Sequence, residues 1–138
     1  MSRILGLDYG AKRIGIAQSD PLRIFATGIT TVYTNEIWQF FEEYLTRETV
    51  EEIVVGYPRK MNNQPSENAR PTELFVRNLK KRYPQLCITY VDERFTSKIA
   101  LQSMIEGGMK KSERKKKANV DSISASLILQ SYLDSKTK

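Results

Sequence analysis

The order of hydrophobic patterns along these 138 residues predicts an α/β fold: a mixed five-stranded sheet, part antiparallel meander and part parallel strands, with helices on both faces. Three observations carry that expectation. The first quarter of the chain holds three extended segments with no helical period between them. Two later short apolar runs are each followed by helical spacing, and the most apolar helical pattern comes last. The length suits a single domain over residues 1–138.

Residues 4–7 are an apolar run closed by Asp8-Tyr9-Gly10, and Ile14 and Ile16 alternate with small residues in the segment after Arg13. Two strands joined by a tight hairpin follow from that spacing. Residues 25–33 are rich in Thr, Ile and Val and are set off by Pro21, which predicts a third strand. The period then changes, because Ile37, Phe40, Phe41, Tyr44 and Leu45 lie on one side of a helix, with Thr34 or Asn35 available to cap it. Residues 52–58 form a short apolar strand closed by Pro58, of the kind covered on both faces. A polar loop over residues 59–68 leads to a helix starting at Ser66 or Arg70 and running to about residue 82, with Leu74, Phe75 and Leu79 inward and Pro71 in its first turn. Residues 86–91 are the fifth strand, and residues 96–106 are a helix stopped by Gly107-Gly108. A basic loop over residues 107–118 precedes a final helix, capped by Asn119 and running to about residue 133, whose Val120, Ile123, Ala125, Leu127, Ile128 and Leu129 should pack on the sheet.

Composition narrows the function classes. With 40% hydrophobic and 28% charged residues the chain is ordinary for a soluble globular protein. No apolar stretch approaches the ~20 residues of a membrane span and no signal peptide opens the sequence, so no membrane partner and a cytoplasmic location are expected. The single cysteine, Cys87, excludes an internal disulfide, and the absence of histidine excludes imidazole chemistry. Of the 22 Lys and Arg residues, six stand at Lys110, Lys111, Arg114, Lys115, Lys116 and Lys117, interrupted by one acid, Glu113. Outside that segment charges nearly balance, so the formal net charge of +6 is the property of one loop. Six clustered cations would release counterions from a nucleic acid without reading its sequence.

In an open α/β sheet ligands collect beyond the carboxyl ends of the strands. Asp8 ends the first strand, Asp92 and Glu93 end the fifth, and Asp121 opens the last helix. Mg²⁺ and Mn²⁺ take hard oxygen ligands, and carboxylates from separate elements can hold one or two ions that bridge a phosphodiester. Each acid alone has a plain structural reading as a turn, dipole or solvated loop residue. Asp8 departs from it, because a charge after Ile4-Leu5-Gly6-Leu7 in a central strand is costly unless solvated, paired or metal-bound. Asp121, set within Val120-Asp121-Ser122-Ile123, departs from it for the same reason. Alternation alone leaves open which of Asp92 and Glu93 enters the site.

These residues also form recognisable blocks. Leu7-Asp8-Tyr9-Gly10-Ala11-Lys12-Arg13-Ile14-Gly15-Ile16-Ala17 resembles the opening motif of the YqgF family, the Holliday-junction-resolvase-like proteins also described as pre-16S rRNA nucleases. Val54-Val55-Gly56-Tyr57-Pro58, Val91-Asp92-Glu93-Arg94-Phe95-Thr96-Ser97 and the segment from Asp121-Ser122-Ile123-Ser124-Ala125 to Leu129-Gln130-Ser131-Tyr132-Leu133 resemble later blocks of that family, in its order. The resemblance implies an RNase H-like fold and metal-dependent cleavage of a phosphodiester, with Asp8, Glu93 and Asp121 as catalytic and metal-binding acids. It further implies Mg²⁺ or Mn²⁺ as cofactor and Lys12, Arg13 and Arg94 as phosphate-neutralising groups. Thr96 and Ser97 match more weakly, and Thr96 serves equally well as a helix cap. The expected substrate is structured RNA, on ribosomal precursor particles in ribosome biogenesis, with 5′ processing of pre-16S rRNA as the reaction. Branched DNA is the alternative substrate, and the chain would act as a monomer or a homodimer. After Pro58 this sequence departs from the family's short glycine-containing loop, with Arg59-Lys60-Met61-Asn62-Asn63-Gln64-Pro65 in its place.

Two other functions compete. Asp8-Tyr9-Gly10 with Lys12-Arg13-Ile14-Gly15 is also similar to the phosphate hairpin of sugar-kinase and actin-like ATPases, but those need two such domains and this length supplies one. A non-catalytic nucleic-acid-binding factor would use the basic loop alone, and all three acidic positions speak against it. Tyr9 and Tyr57 lie at strand ends, where core or rim packing is a better expectation than stacking on bases.

Overall fold

A computed structural model of the chain describes residues 2–58, 69–92 and 117–136, with side chains from 121 onward in the last segment. In chain order the described elements are β1 (Arg3–Tyr9), β2 (Arg13–Ser19), β3 (Ala26–Tyr33), a single 3₁₀ turn (Thr34–Glu36), α1 (Ile37–Arg47), β4 (Val50–Tyr57), α2 (Ala69–Arg82), β5 (Cys87–Asp92) and α3 (Lys117–Lys136). The sheet order is β3-β2-β1-β4-β5. β1, β2 and β3 pair antiparallel, whereas β4 runs parallel to both β1 and β5. The expected meander joined to parallel strands is therefore present, with β1 at its centre.

Alternation along the strands sends side chains to two cores. Leu5, Leu7, Ile14, Ile16, Ile53 and Val55 face α1 and α2, where they meet Ile37, Phe41, Tyr44, Phe75, Val76 and Leu79. Ile4, Ala17 and Val54 face the other way, against Ala125, Ile128, Leu129 and Leu133 of α3. Helices thus cover both faces. No described helix is long and apolar enough to cross a membrane.

Several local expectations are corrected. Leu74 is 51% exposed, because the buried stripe of α2 runs through Ala69, Thr72, Phe75, Val76 and Leu79 and Leu74 falls one position off that 3.6-residue period. Thr34 does not cap α1. Its Oγ1 donates instead to the Gly10 carbonyl at 2.7 Å, and the Thr34 amide donates to the Lys12 carbonyl, tying the 3₁₀ turn to the β1–β2 hairpin. Asn119 lies inside α3, which already includes Lys117 and Ala118; both are good helix formers by type, so the helix extends through them. The helix expected over residues 96–106 and the loop over residues 107–116 lie outside the described residues.

Candidate nuclease site

Asp8 stands on the α3 face of β1, since Ile4 on that face packs in the α3 core while Leu5 and Leu7 face α1 and α2. Its cross-strand partner in β2 is Gly15. Above Gly15 lies the second turn of α3, at Asp121 and Ser122. A Cβ added at Gly15 would fall 2.0 Å from the carbonyl oxygen of Asp121, so the helix backbone rests on that strand. Directly opposed antiparallel residues have Cα atoms about 4.5–5.5 Å apart, and Asp8 and Asp121 are thereby brought to one end of one face. Residues 8 and 121 are both half-buried.

Arg13 begins β2 on the same face, and its Nε donates to Asp121 Oδ2 at 3.3 Å. Both side chains are about one-fifth exposed, at 22% for Arg13 and 19% for Asp121. A guanidinium offers five N–H donors, so this pair leaves capacity for a phosphate oxygen. Lys12 is exposed in the hairpin turn at the same end of β1. Asp92 lies on the other face: Ile88, two positions before Tyr90, packs with the α1–α2 core, and Tyr90 packs on Tyr57 with ring centroids 5.0 Å apart. Val91 and Thr89 take the α3 side, the latter through its bond to Glu52. Glu93, Arg94, Lys110, Lys111, Arg114, Lys115 and Lys116 lie outside the described residues, and Lys117 opens α3 with its side chain undescribed.

The donor set suits a hard cation. Asp8 and Asp121 supply carboxylate oxygens, and the chain has no imidazole to favour a softer metal. Among the described residues no three acids, histidines or cysteines gather closely enough to hold an ion, so a complete site needs a further ligand from the remaining residues. A neighbouring cavity of about 470 Å³ is lined by Arg13, Tyr33, Glu36, Phe40 and Glu43 among others. Its two carboxylates repel a phosphate, and the acid pair is the stronger centre. Tyr9 stacks on Phe75 at 4.9 Å, and the Tyr57 hydroxyl donates to Glu73 at 2.6 Å. Both rings are used in packing, as expected.

Residues 2–135 match the family described as RuvX, Holliday junction resolvase. The chain belongs to this family. A "Putative pre-16S rRNA nuclease" of Bacteroides thetaiotaomicron is 55% identical over 136 residues, covering 99% of each chain, and one of Christiangramia forsetii is 49% identical over 133 residues, covering 96% of this chain and 98% of that protein. Among solved structures, the fowlpox virus resolvase bound to Holliday junction DNA aligns with a TM-score of 0.62 over 99% of both chains at 13% identity. RuvC from T. thermophilus, also with a Holliday junction substrate, gives 0.55 over 99% of this chain and 96% of that one at 15% identity. At such identities the likeness concerns the fold, which is RNase H-like. This RuvX-family member is a nuclease, and its substrate is nucleic acid. Its sequence pattern points to Asp8 and Asp121, but leaves the roles of Gly15 and Gly28 unread. The available signal is a glycine between two isoleucines inside a strand, which often marks close approach of another backbone.

Proposed function

We propose that this chain, acting as one nuclease domain over residues 1–138, cleaves phosphodiesters of structured RNA with Mg²⁺ or Mn²⁺, and that its substrate is the 5′ region of pre-16S rRNA on ribosomal precursor particles. The observation carrying the proposal is the seating of Asp121 over Gly15, the cross-strand partner of Asp8. Asp8, Asp121 and Glu93 would hold the metal. Glu93 is preferred to Asp92 because Asp92 belongs to the α1–α2 face, away from Asp8. The metal, when bound, would generate a hydroxide nucleophile and stabilise the leaving oxygen. The protein's own contribution is to fix the carboxylates on a central strand and a helix end, and to bring cations to the phosphate. Arg13 orients Asp121 through Nε, and Lys12 and Arg94 neutralise flanking phosphates. Lys110, Lys111, Arg114, Lys115, Lys116 and Lys117 hold the polyanion without reading its sequence. The names of the close relatives favour RNA over branched DNA.

The deciding experiment compares labelled pre-16S RNA with a four-way DNA junction at matched salt, with and without Mg²⁺ or Mn²⁺. Wild type should cut the RNA faster and require the metal. Asp8→Asn and Asp121→Asn should each lose more than the roughly 100-fold typical of outer ligand changes, with unchanged melting. Equal cutting by the variants overturns the site. Replacing Lys115, Lys116 and Lys117 together by Ala should weaken binding to all sequences and flatten the salt dependence, by about 0.7 in slope for each single-strand phosphate that is no longer neutralised. An unaltered slope removes the segment from the interface.

A further inference from the structure

We propose that Gly15 and Gly28 are positioning residues of the cleavage site, setting where the Asp121 carboxylate stands relative to Asp8 by letting the backbone of α3 lie against β2 and β3. This rests on the reading that the two acids share a metal. The contacts are unusually close. A Cβ at Gly15 would meet the Asp121 carbonyl oxygen at 2.0 Å, its carbonyl carbon at 2.3 Å and the Ser122 nitrogen at 2.9 Å; one at Gly28 would meet the Ser122 carbonyl oxygen at 2.8 Å. These obstacles are backbone, which no rotamer change removes. An added methyl at position 15 must therefore lift the helix at Asp121 and Ser122, and packed interiors transmit such strain rather than absorb it.

The direction of that displacement is what matters for the site. Gly15 is paired with Asp8 and Gly28 with Ala17 on neighbouring strands, so a methyl at either position raises α3 from the sheet face that carries Asp8. Metal and catalytic constellations tolerate about 0.5 Å of displacement, less than the shift needed at Gly15. Gly6 is the internal control. It lies under the same helix one to two turns on, where an added Cβ would meet Leu129 Cβ at 2.7 Å and the Ala125 carbonyl oxygen at 3.0 Å. A methyl there presses on α3 at Ala125 and Leu129, four and eight residues past Asp121, and not on the Asp121 or Ser122 backbone.

The test is calorimetric titration of Mn²⁺ into the full-length protein, with melting curves, for wild type, Gly15→Ala, Gly28→Ala and Gly6→Ala. Gly15→Ala should weaken Mn²⁺ binding by about tenfold or more, the size found when ligand orientation is lost. Gly28→Ala should weaken it less, and Gly6→Ala should leave it within about twofold even where melting falls as far. Wild-type affinity in folded Gly15→Ala or Gly28→Ala overturns the proposal, as does an equal loss in Gly6→Ala. If Gly15→Ala does not fold, Gly28→Ala decides alone. If wild type binds no Mn²⁺, the metal reading fails by itself. A crystal structure of Gly28→Ala then decides positioning: Asp121 raised from Arg13 and Asp8 supports it, and an unmoved Asp121–Ser122 backbone overturns it.

Discussion

At its second turn α3 rests backbone on backbone against the glycines of β2 and β3, whereas two to three turns further along it is held by side chains that reach out to the sheet. Gln130 bridges the β2–β3 connection, accepting from the Ala26 amide at 2.8 Å and donating to the Ile24 carbonyl at 3.0 Å. The Tyr132 hydroxyl donates to Glu52 Oε2 at 2.6 Å, and Thr89 Oγ1 donates to the same oxygen at 2.6 Å. Leu129 and Leu133 are buried between these two polar clamps. The helix is thus fastened at one end and seated at the other. Long side chains can follow small shifts of a helix; a backbone in contact with a glycine cannot, which suits the end that carries an acid of the proposed site.

The comparison is broken most forcefully at Leu129. Leu129→Ala should cost about 2–5 kcal/mol, read as a lower denaturant midpoint, while the folded fraction keeps wild-type Mn²⁺ affinity. Loss of affinity in proportion to stability would make the two ends of α3 one unit. Tyr132→Phe acts on the same end more gently. Removal of the hydroxyl from Glu52 should cost about 1 kcal/mol and leave cleavage unaltered.

The Tyr132 phenol also carries a pH signature. Its pKa is pushed up to about 12, first by burial and then by the hydrogen bond to the Glu52 carboxylate. A raised folded-state value means that this contribution is complete below pH ~10, where the unfolded tyrosine is still protonated. It is lost as pH rises from there through about 12. Stability between pH ~10 and 12 should therefore fall more steeply in wild type than in Tyr132→Phe, checked by denaturant titration across that range. Parallel curves would show that the hydroxyl contributes nothing to the clamp.

Most of the sheet is legible in the sequence because its signals are local. Ile14 and Ile16 alternate with small residues, the 52–58 run is short and apolar, and Asp8 interrupts an apolar strand where an unpaired charge is costly. The pairing of Arg13 with Asp121 is not legible, since 108 residues separate them and neither carries a periodic signal for the other. Leu74 misleads because Leu74 and Phe75 are adjacent apolar residues and only the packing partners decide which one faces inward. Thr34 is a good cap by type, but the hairpin carbonyl of Gly10 offers it a tertiary partner that no local pattern encodes. Gly15 looks in the sequence like one more small strand residue. Its importance lies in what covers it, and that is a property of the fold.

The pairing of the first strands with the last helix has a consequence for a newly made molecule. Translation delivers Asp8 early and Asp121 after all five strands. A growing chain that has assembled its sheet but not yet seated α3 holds only half of the described acid pair. For a nuclease, this order of synthesis keeps the described acid pair apart until α3 has been made.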